Sequence, residues 1–377
     1  MEIPGDVWYN DAVHYADPLG GRILDHLKAF RDAALAGGAG CAVVHRPENI
    51  RYLSGFAGEG CLFISKEIRA VVTDFRYVEA AGREAPGWSV ERTTADRKEA
   101  DVLKALAARA GAGAALVETD WLTHDAYLRL ERALEGVALT PMDGAPERLR
   151  QVKDADEIAC ILEASRIASQ AFINILPRLH AGMTEIDAKI ELEFEMLRLG
   201  SEGPAFDTIA AAGVNGSLPH AVPSAHAISA GELLTLDFGA TYRGYRSDIT
   251  RTVAFGKPSP ELRAIYDTVR DAQQLALDAI APGRRCCDID RIARDYIDAR
   301  YPGAFGHSLG HGVGLYIHEQ PRVSFNDATE LLPGHVVTVE PGVYIPGVGG
   351  CRIEDTVILT SGGFINAMHA PKQLIEL

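Results

Sequence analysis

At 377 residues, with 47% hydrophobic and 24% charged side chains, the chain is long enough for two domains with complete cores and too apolar for disorder. Its net charge of −15, from 37 basic and 52 acidic residues, offers no basic patch, which argues against nucleic acid or an anionic membrane and for a small-molecule partner. The 6 cysteines lack CxxC spacing, no charged and apolar leader pattern precedes them, and every apolar run is far shorter than a membrane span, so a reduced, cytoplasmic protein is expected.

The first 145 residues alternate helical and strand-like patches. Helical spacing covers Leu24–Leu35, Phe75–Arg83, Ala100–Ala110 and Thr123–Leu134, and strand-like runs cover Cys41–Val44, Leu62–Ile64, Ala70–Thr73, Ala115–Glu118 and Val137–Thr140. This predicts an α/β domain over 1–145 with its own sheet. The turn formers of Pro141-Met-Asp-Gly-Ala-Pro146 mark the boundary, and a second domain occupies 146–377. There, Asp156–Leu176 keeps apolar residues at helical spacing, and Thr184 with Asp187 three residues on predicts a capped helix through about Leu199. Strands and loops are expected from Ala205 to Val253, and helices again over Glu261–Tyr301.

Two stretches of this second domain repeat one pattern. Gly231-Glu-Leu-Leu-Thr-Leu-Asp237-Phe-Gly and Gly334-His-Val-Val-Thr-Val-Glu340-Pro-Gly are each an apolar strand with Thr and then an acid. A second acid follows each, in Arg246-Ser-Asp248-Ile-Thr250 and in Arg352-Ile-Glu354-Asp-Thr356. If the first unit is a hairpin turning at Thr241-Tyr-Arg-Gly244, Asp237 and Asp248 are direct cross-strand partners; the second, centred on Gly347, sets Glu340 against Glu354. Four converging carboxylates would repel one another, and divalent cations remove that conflict.

Between the hairpins lies Gly306-His307-Ser-Leu-Gly-His311-Gly-Val-Gly-Leu-Tyr-Ile-His318-Glu. Glycines on both sides of His311 let its backbone approach a cluster closely. With Asp237, Asp248, Glu340 and Glu354 it makes a five-ligand nitrogen and oxygen set for two divalent ions. Manganese suits that set first, and cobalt, zinc or iron are also compatible. His220, in the loop Asn215-Gly-Ser-Leu-Pro-His220-Ala-Val-Pro, and His318 are candidates for chemistry, and His307 for substrate contact.

Taken together, Leu236-Asp-Phe-Gly, Ser247-Asp-Ile-Thr-Arg-Thr, Gly310-His-Gly-Val-Gly with His318-Glu, Val339-Glu-Pro-Gly and Arg352-Ile-Glu-Asp resemble the pita-bread metallopeptidases, in the aminopeptidase P and prolidase branch. Asn49-Ile-Arg-Tyr-Leu-Ser-Gly-Phe and Thr73-Asp-Phe-Arg-Tyr extend the resemblance into the N-terminal half. It implies a creatinase-type α/β domain before an α+β pita-bread catalytic domain with an internal pseudo-twofold repeat. It also implies cleavage of the bond between an N-terminal residue and proline, and a homodimer.

By that resemblance Asp237 binds one metal, Asp248 and Glu354 bridge both, and His311 and Glu340 complete the second. Glu340 also moves protons, His220 stabilises the oxyanion and His318 touches substrate. Arg352 either orients a carboxylate or is a supporting salt bridge. Small peptides with proline in second position are the expected substrates. The motif Thr73-Asp-Phe-Arg-Tyr77 is most like aminopeptidase P, whereas Pro321-Arg322-Val-Ser resembles a prolidase segment whose arginine clamps a dipeptide carboxylate. Aminopeptidase activity is the first expectation and dipeptidase activity the second. A related amidohydrolase or a non-catalytic peptide binder on this fold is a more distant reading.

Overall fold

The structure, a computed structural model, describes residues 25–377. Leu24, the expected first residue of the first helix, and all that precedes it lie outside the described residues. The chain divides between Arg150 and Gln151 into two units.

The N-terminal unit holds helices α1 (His26–Ala34), α2 (Pro47–Ser54), α3 (Val78–Glu84), α4 (Glu99–Ala110), α5 (His124–Ala133) and α6 (Ala145–Arg150). Its strands are β1 (Cys41–Val44), β2 (Cys61–Ser65), β3 (Arg69–Thr73), β4 (Ser89–Arg92), β5 (Ala114–Val117) and β6 (Ala138–Pro141). They form one mixed sheet in the order β4-β3-β2-β1-β5-β6. The continuous apolar runs of β1 and β2 follow from burial at the middle of that sheet, where every residue is inaccessible. The Asn49 motif is the helix α2, and Asn49 itself is buried, donating to Glu118 Oε1 at 2.6 Å and accepting from Arg150 Nη1 at 2.7 Å.

The second unit contains helices α7 (Ala155–Ile175), α8 (Glu185–Arg198), α9 (Pro260–Ala279) and α10 (Cys286–Asp298). Strands β7 (Ile209–Ala212), β8 (Leu233–Phe238) and β11 (Ile249–Ala254) form one sheet, and β9 (Thr241–Tyr242) and β10 (Tyr245–Arg246) a short ribbon at the hairpin tip. Strands β12 (Gly310–Gly312), β13 (Glu319–Val323), β14 (Val336–Val339), β17 (Asp355–Thr360) and β18 (Gly363–Asn366) form a second sheet, while β15 (Gly342–Ile345) pairs with β16 (Gly349–Arg352). Helices α7 and α8 share a core with β7, β8 and β11, and α9 and α10 share another with β14 and β17. The duplication seen in the acids is therefore a duplication of a helix pair on a sheet.

The predicted cap is present: Thr184 Oγ1 accepts from the Asp187 amide at 3.1 Å and Asp187 Oδ2 from the Thr184 amide at 2.8 Å. Contrary to expectation, the helical stretch Ala155–Arg178 is by length and composition apolar enough to span a bilayer. Its apolar residues serve the core instead: Ile161, Ala168, Phe172 and Ile175 are buried at helical spacing, and Phe172 stacks on Phe238 at 6.2 Å between centroids. Removing that ring is worth about 3–5 kcal/mol in a core of this density.

The first hairpin differs from the expected register. Asp237 pairs with Thr250, and Tyr242 with Tyr245, so the turn is Arg243-Gly244, one residue beyond the expected centre. Arg243 and Gly244 both have positive φ, at 46° and 73°, which makes a tight two-residue turn whose twist matches the strands. Asp248 consequently lies two positions along from the partner of Asp237. The second hairpin keeps the expected register: Val339 pairs with Asp355 and Gly342 with Arg352, which brings Glu340 and Glu354 opposite each other.

Candidate metal centre

All four acids stand at strand ends beside a buried apolar residue. Phe238 follows Asp237, Ile249 follows Asp248, Val339 precedes Glu340 and Ile353 precedes Glu354, and each of these is wholly inaccessible. Because strand side chains alternate, anchoring those residues in the core turns the acids to the opposite face. His311 sits in the middle of β12, where no flanking side chain fits. A Cβ on Gly310 would lie 2.0 Å from the Thr338 carbonyl oxygen, and one on Gly312 would lie 2.4 Å from that of Gln320.

Four of the five residues come together, and the fifth, Asp237, adds its charge to theirs. His311 Nε2 is 3.4 Å from Asp248 Oδ2 and 3.3 Å from Glu340 Oε1, and ligand atoms of Asp248, His311 and Glu354 lie within 4.8 Å of one another. His311 Nδ1–H donates to the Gly312 carbonyl at 3.1 Å, which leaves the Nε2 lone pair facing the carboxyls.

Each half of the repeat steadies the acid of the other half. Thr250, in the first hairpin, donates its hydroxyl to Glu354 Oε2 at 2.7 Å, and Thr356, in the second, donates to the Asp248 carbonyl at 2.8 Å. Arg352 donates to Asp237 Oδ2, to Thr250 Oγ1 at 3.2 Å, to Tyr344 Oη at 2.8 Å and to the Pro219 carbonyl at 3.2 Å. The guanidinium forms a salt bridge with Asp237, a contact compatible with both of its expected roles. Asp237 Oδ1 is left buried without a hydrogen-bond partner.

Burial and mutual repulsion set the electrostatics. Burial first, and then the charges of Glu354, Asp237 and Glu340, raise Asp248 well above the usual carboxylate range. Burial followed by Glu340 and Asp237 does the same to Glu354. Burial pushes Glu340 up to about 8 against the opposing charge of Arg352. Burial lowers His311 to about 3, so its imidazole is neutral at physiological pH. Stranded acids, an open imidazole nitrogen and an orphaned carboxylate oxygen fit a pair of divalent cations, whose charge relieves all three.

A stability prediction follows for the metal-free protein. The folded state holds protons on Asp248, Glu340 and Glu354 at pH values where the unfolded chain has lost them. Stability is therefore present below the unfolded values and lost as pH rises through the folded ones. The melting temperature of chelator-treated protein is expected to fall by roughly 5–10 °C between about pH 5 and 8, and added Mn²⁺ to restore it at the upper end. A flat profile would mean the acids are balanced without metal.

The remaining histidines divide. His318 packs edge-on against His311 with centroids 4.5 Å apart, and burial and then the Arg322 charge lower its pKa. It and His220 are both solvent-accessible, as groups meeting a substrate must be. His307 has both nitrogens engaged: Nδ1–H donates to the Ser308 carbonyl at 2.8 Å, so Nε2 accepts the Tyr344 hydroxyl at 2.9 Å. Tyr344, which links His307 to Arg352, gave no signal in the sequence; a Tyr at strand spacing reads as ordinary packing. Arg322 is the cross-strand partner of His311 in the β12–β13 ladder. Its side chain therefore shares the face of the cluster.

The chain matches two family models, metallopeptidase family M24 over residues 159–361 and the creatinase/prolidase N-terminal domain over residues 26–152. It is 43% identical over 338 residues to the uncharacterized peptidase YqhT of Bacillus subtilis, covering 87% of this chain and 93% of that protein. Among solved structures it resembles an Xaa-Pro dipeptidase from Bacillus anthracis, with TM-score 0.90, 40% identity, and 93% and 99% of the two chains covered. An X-Pro aminopeptidase from Thermotoga maritima follows the same fold at TM-score 0.85 and 34% identity, over 90% of this chain and 98% of that one.

Proposed function

The chain belongs to metallopeptidase family M24, and from that premise we propose that it hydrolyses the peptide bond preceding proline, with Xaa-Pro dipeptides preferred over longer peptides. It is an enzyme of two domains, an α/β domain of the creatinase/prolidase type and a pita-bread catalytic domain. The cluster of Asp248, His311, Glu340 and Glu354, with the charge of Asp237 acting on it, carries the hydrolytic reading.

These five residues would hold two divalent ions, which when bound supply Lewis acidity and a water acidic enough to act as nucleophile near neutral pH. Manganese is the preferred ion for so oxygen-rich a set. Arg352 holds Asp237 Oδ2, and Thr338 donates to Glu340 Oε1 at 3.2 Å, so both carboxylates keep one orientation. Glu340, whose burial raises its affinity for a proton, takes one at its carboxylate and delivers it to the departing proline nitrogen. His220 donates to the carbonyl oxygen as negative charge develops there, and His318 contacts substrate beside the scissile bond. A homodimer in the cytoplasm completes the proposal. The exposed apolar stripe of Ile186, Ile190, Phe194 and Leu197 on α8 supports self-association, and six cysteines, none in a disulfide among the described residues, suit a reducing compartment.

The dipeptide preference rests on Arg322. Aminopeptidase activity is the first expectation from sequence, because an exposed loop arginine is more often merely solvated than a clamp. Its place opposite His311 and the absence of an acidic side chain bonded to its guanidinium, among the described residues, favour a substrate carboxylate as its partner. A charge-assisted contact of that kind contributes on the order of 1.5–3 kcal/mol, or roughly ten- to a hundredfold. Kinetics with Xaa-Pro and Xaa-Pro-Pro substrates are expected to show the dipeptide preferred in the wild type and the preference lost in Arg322→Ala. Equal cleavage of both lengths, unchanged by the substitution, would return the enzyme to the aminopeptidases; cleavage of neither would point to another amide.

A further inference from the structure

The loop that carries His220 has little apolar anchorage. Between β7 and the return at Ile228 it exposes Val214, Leu218 and Val222 by 53%, 56% and 85%; Ala221 packs inward, on Ile209 and Ala211, and Gly216 is buried against Gly350. Besides backbone bonds at its far end, from the Glu185 amide to the His226 carbonyl at 3.2 Å and from the Ile186 amide to the Ser224 carbonyl at 3.3 Å, its two ends meet at one carboxylate, that of Glu185 in the first turn of α8, which is completely buried. Glu185 Oε1 accepts from the Ala212 amide at 2.7 Å and from Asn215 Nδ2 at 3.0 Å, at the start of the loop. Oε2 accepts from the Ser224 amide at 2.9 Å and its hydroxyl at 2.7 Å, at the far end. Its bonding partners are neutral donors, and both oxygens are committed. On the metal side, Arg352 holds the Pro219 carbonyl, one residue before His220.

We propose that Glu185 is a positioning residue for catalysis, closing the His220 loop at both ends so that its imidazole is presented to the substrate carbonyl. The inference rests on the role given to His220 above. A carboxylate suits this position because it is acceptor-only and both its oxygens face donors. An amide nitrogen there would face an N–H or O–H donor, break one of these side-chain ties and loosen the loop.

The test is a double-mutant cycle between Glu185→Gln and His220→Ala, measured on manganese-loaded enzyme with an Xaa-Pro substrate. Glu185→Gln is expected to lower kcat by about 10- to 100-fold, with KM within about threefold and metal content at the wild-type level. In the His220→Ala background it should change kcat less than about twofold, because nothing remains to be positioned. Hydrogen exchange supplies a readout independent of activity: amides over 213–224 should exchange faster in Glu185→Gln while those of β8 and β11 do not. Ser224→Ala, which removes one donor to Glu185 and the acceptor of the His226 amide while the Ser224 amide stays, covers the case of a Gln variant that does not fold. It should repeat the pattern with a kcat loss of about threefold. Unchanged kcat, an equal loss in both backgrounds, or loss of metal would overturn the proposal. An inert His220→Ala would overturn the catalytic assignment and the positioning role with it, whereas a wild type inactive on every proline substrate would fault the substrate reading.

Discussion

Replacing Asp248 with Asn is expected to remove metal and activity together, with kcat/KM falling roughly a thousandfold or more, since each 1.4 kcal/mol of lost stabilisation costs about tenfold in rate. Asn keeps the shape of the side chain and loses its charge, so the cluster is left with too little negative charge to hold two dications. The same substitution should raise the stability of the metal-free protein. Asp248 is raised by burial and by three neighbouring acids, and removing its charge relieves that repulsion in the empty site. Glu354→Gln should behave likewise, tempered by loss of the charge that Thr250 now bonds. Metal analysis, steady-state kinetics and melting curves with and without chelator check all three parts. Full activity in a preparation stripped of metal would end the dinuclear interpretation, and a variant that retains both ions would show that Asp248 is not a ligand.

His318→Ala should reduce turnover by about 10²- to 10⁴-fold while metal content stays at the wild-type level, the range expected for loss of a group that acts on the reacting atoms. His311→Ala should instead lose metal. The two rings lie 4.5 Å apart, yet their surroundings differ. His311 is buried with Nδ1 tied to a backbone carbonyl and Nε2 turned to two carboxyls, whereas His318 is open to solvent and faces the charges of Arg322 and Arg246. Metal loss in His318→Ala together with retention in His311→Ala would show the roles to be exchanged.

The site could be anticipated from sequence because its signals are local or repeated. The Thr184 and Asp187 cap lies within one helical turn, and the glycines beside His311 are its immediate neighbours. The pairing of Glu340 with Glu354 follows from symmetry about a single loop at Gly347. The first hairpin defeated the same arithmetic. The two-residue turn at Arg243-Gly244 was favoured over a centre one residue earlier by backbone twist and positive φ, which spacing between acids does not record.

Acid pairs, an imidazole between glycines and their order along the chain were thus determined by sequence alone, since a duplicated strand pattern places its acids at equivalent strand ends whatever the loops do. Tertiary structure decided what surrounds them. Thr250 meets Glu354 across 104 residues, Arg352 meets Asp237 across 115, and Glu185 gathers Ala212, Asn215 and Ser224 from up to 39 residues away. The resemblance already marked Arg322 as a clamp, and only the pairing of β13 with β12 set it opposite His311. Such contacts arise where separate elements pack, and the bonding need of a buried polar group can be met by any donor the fold delivers, so no local spacing specifies its partner.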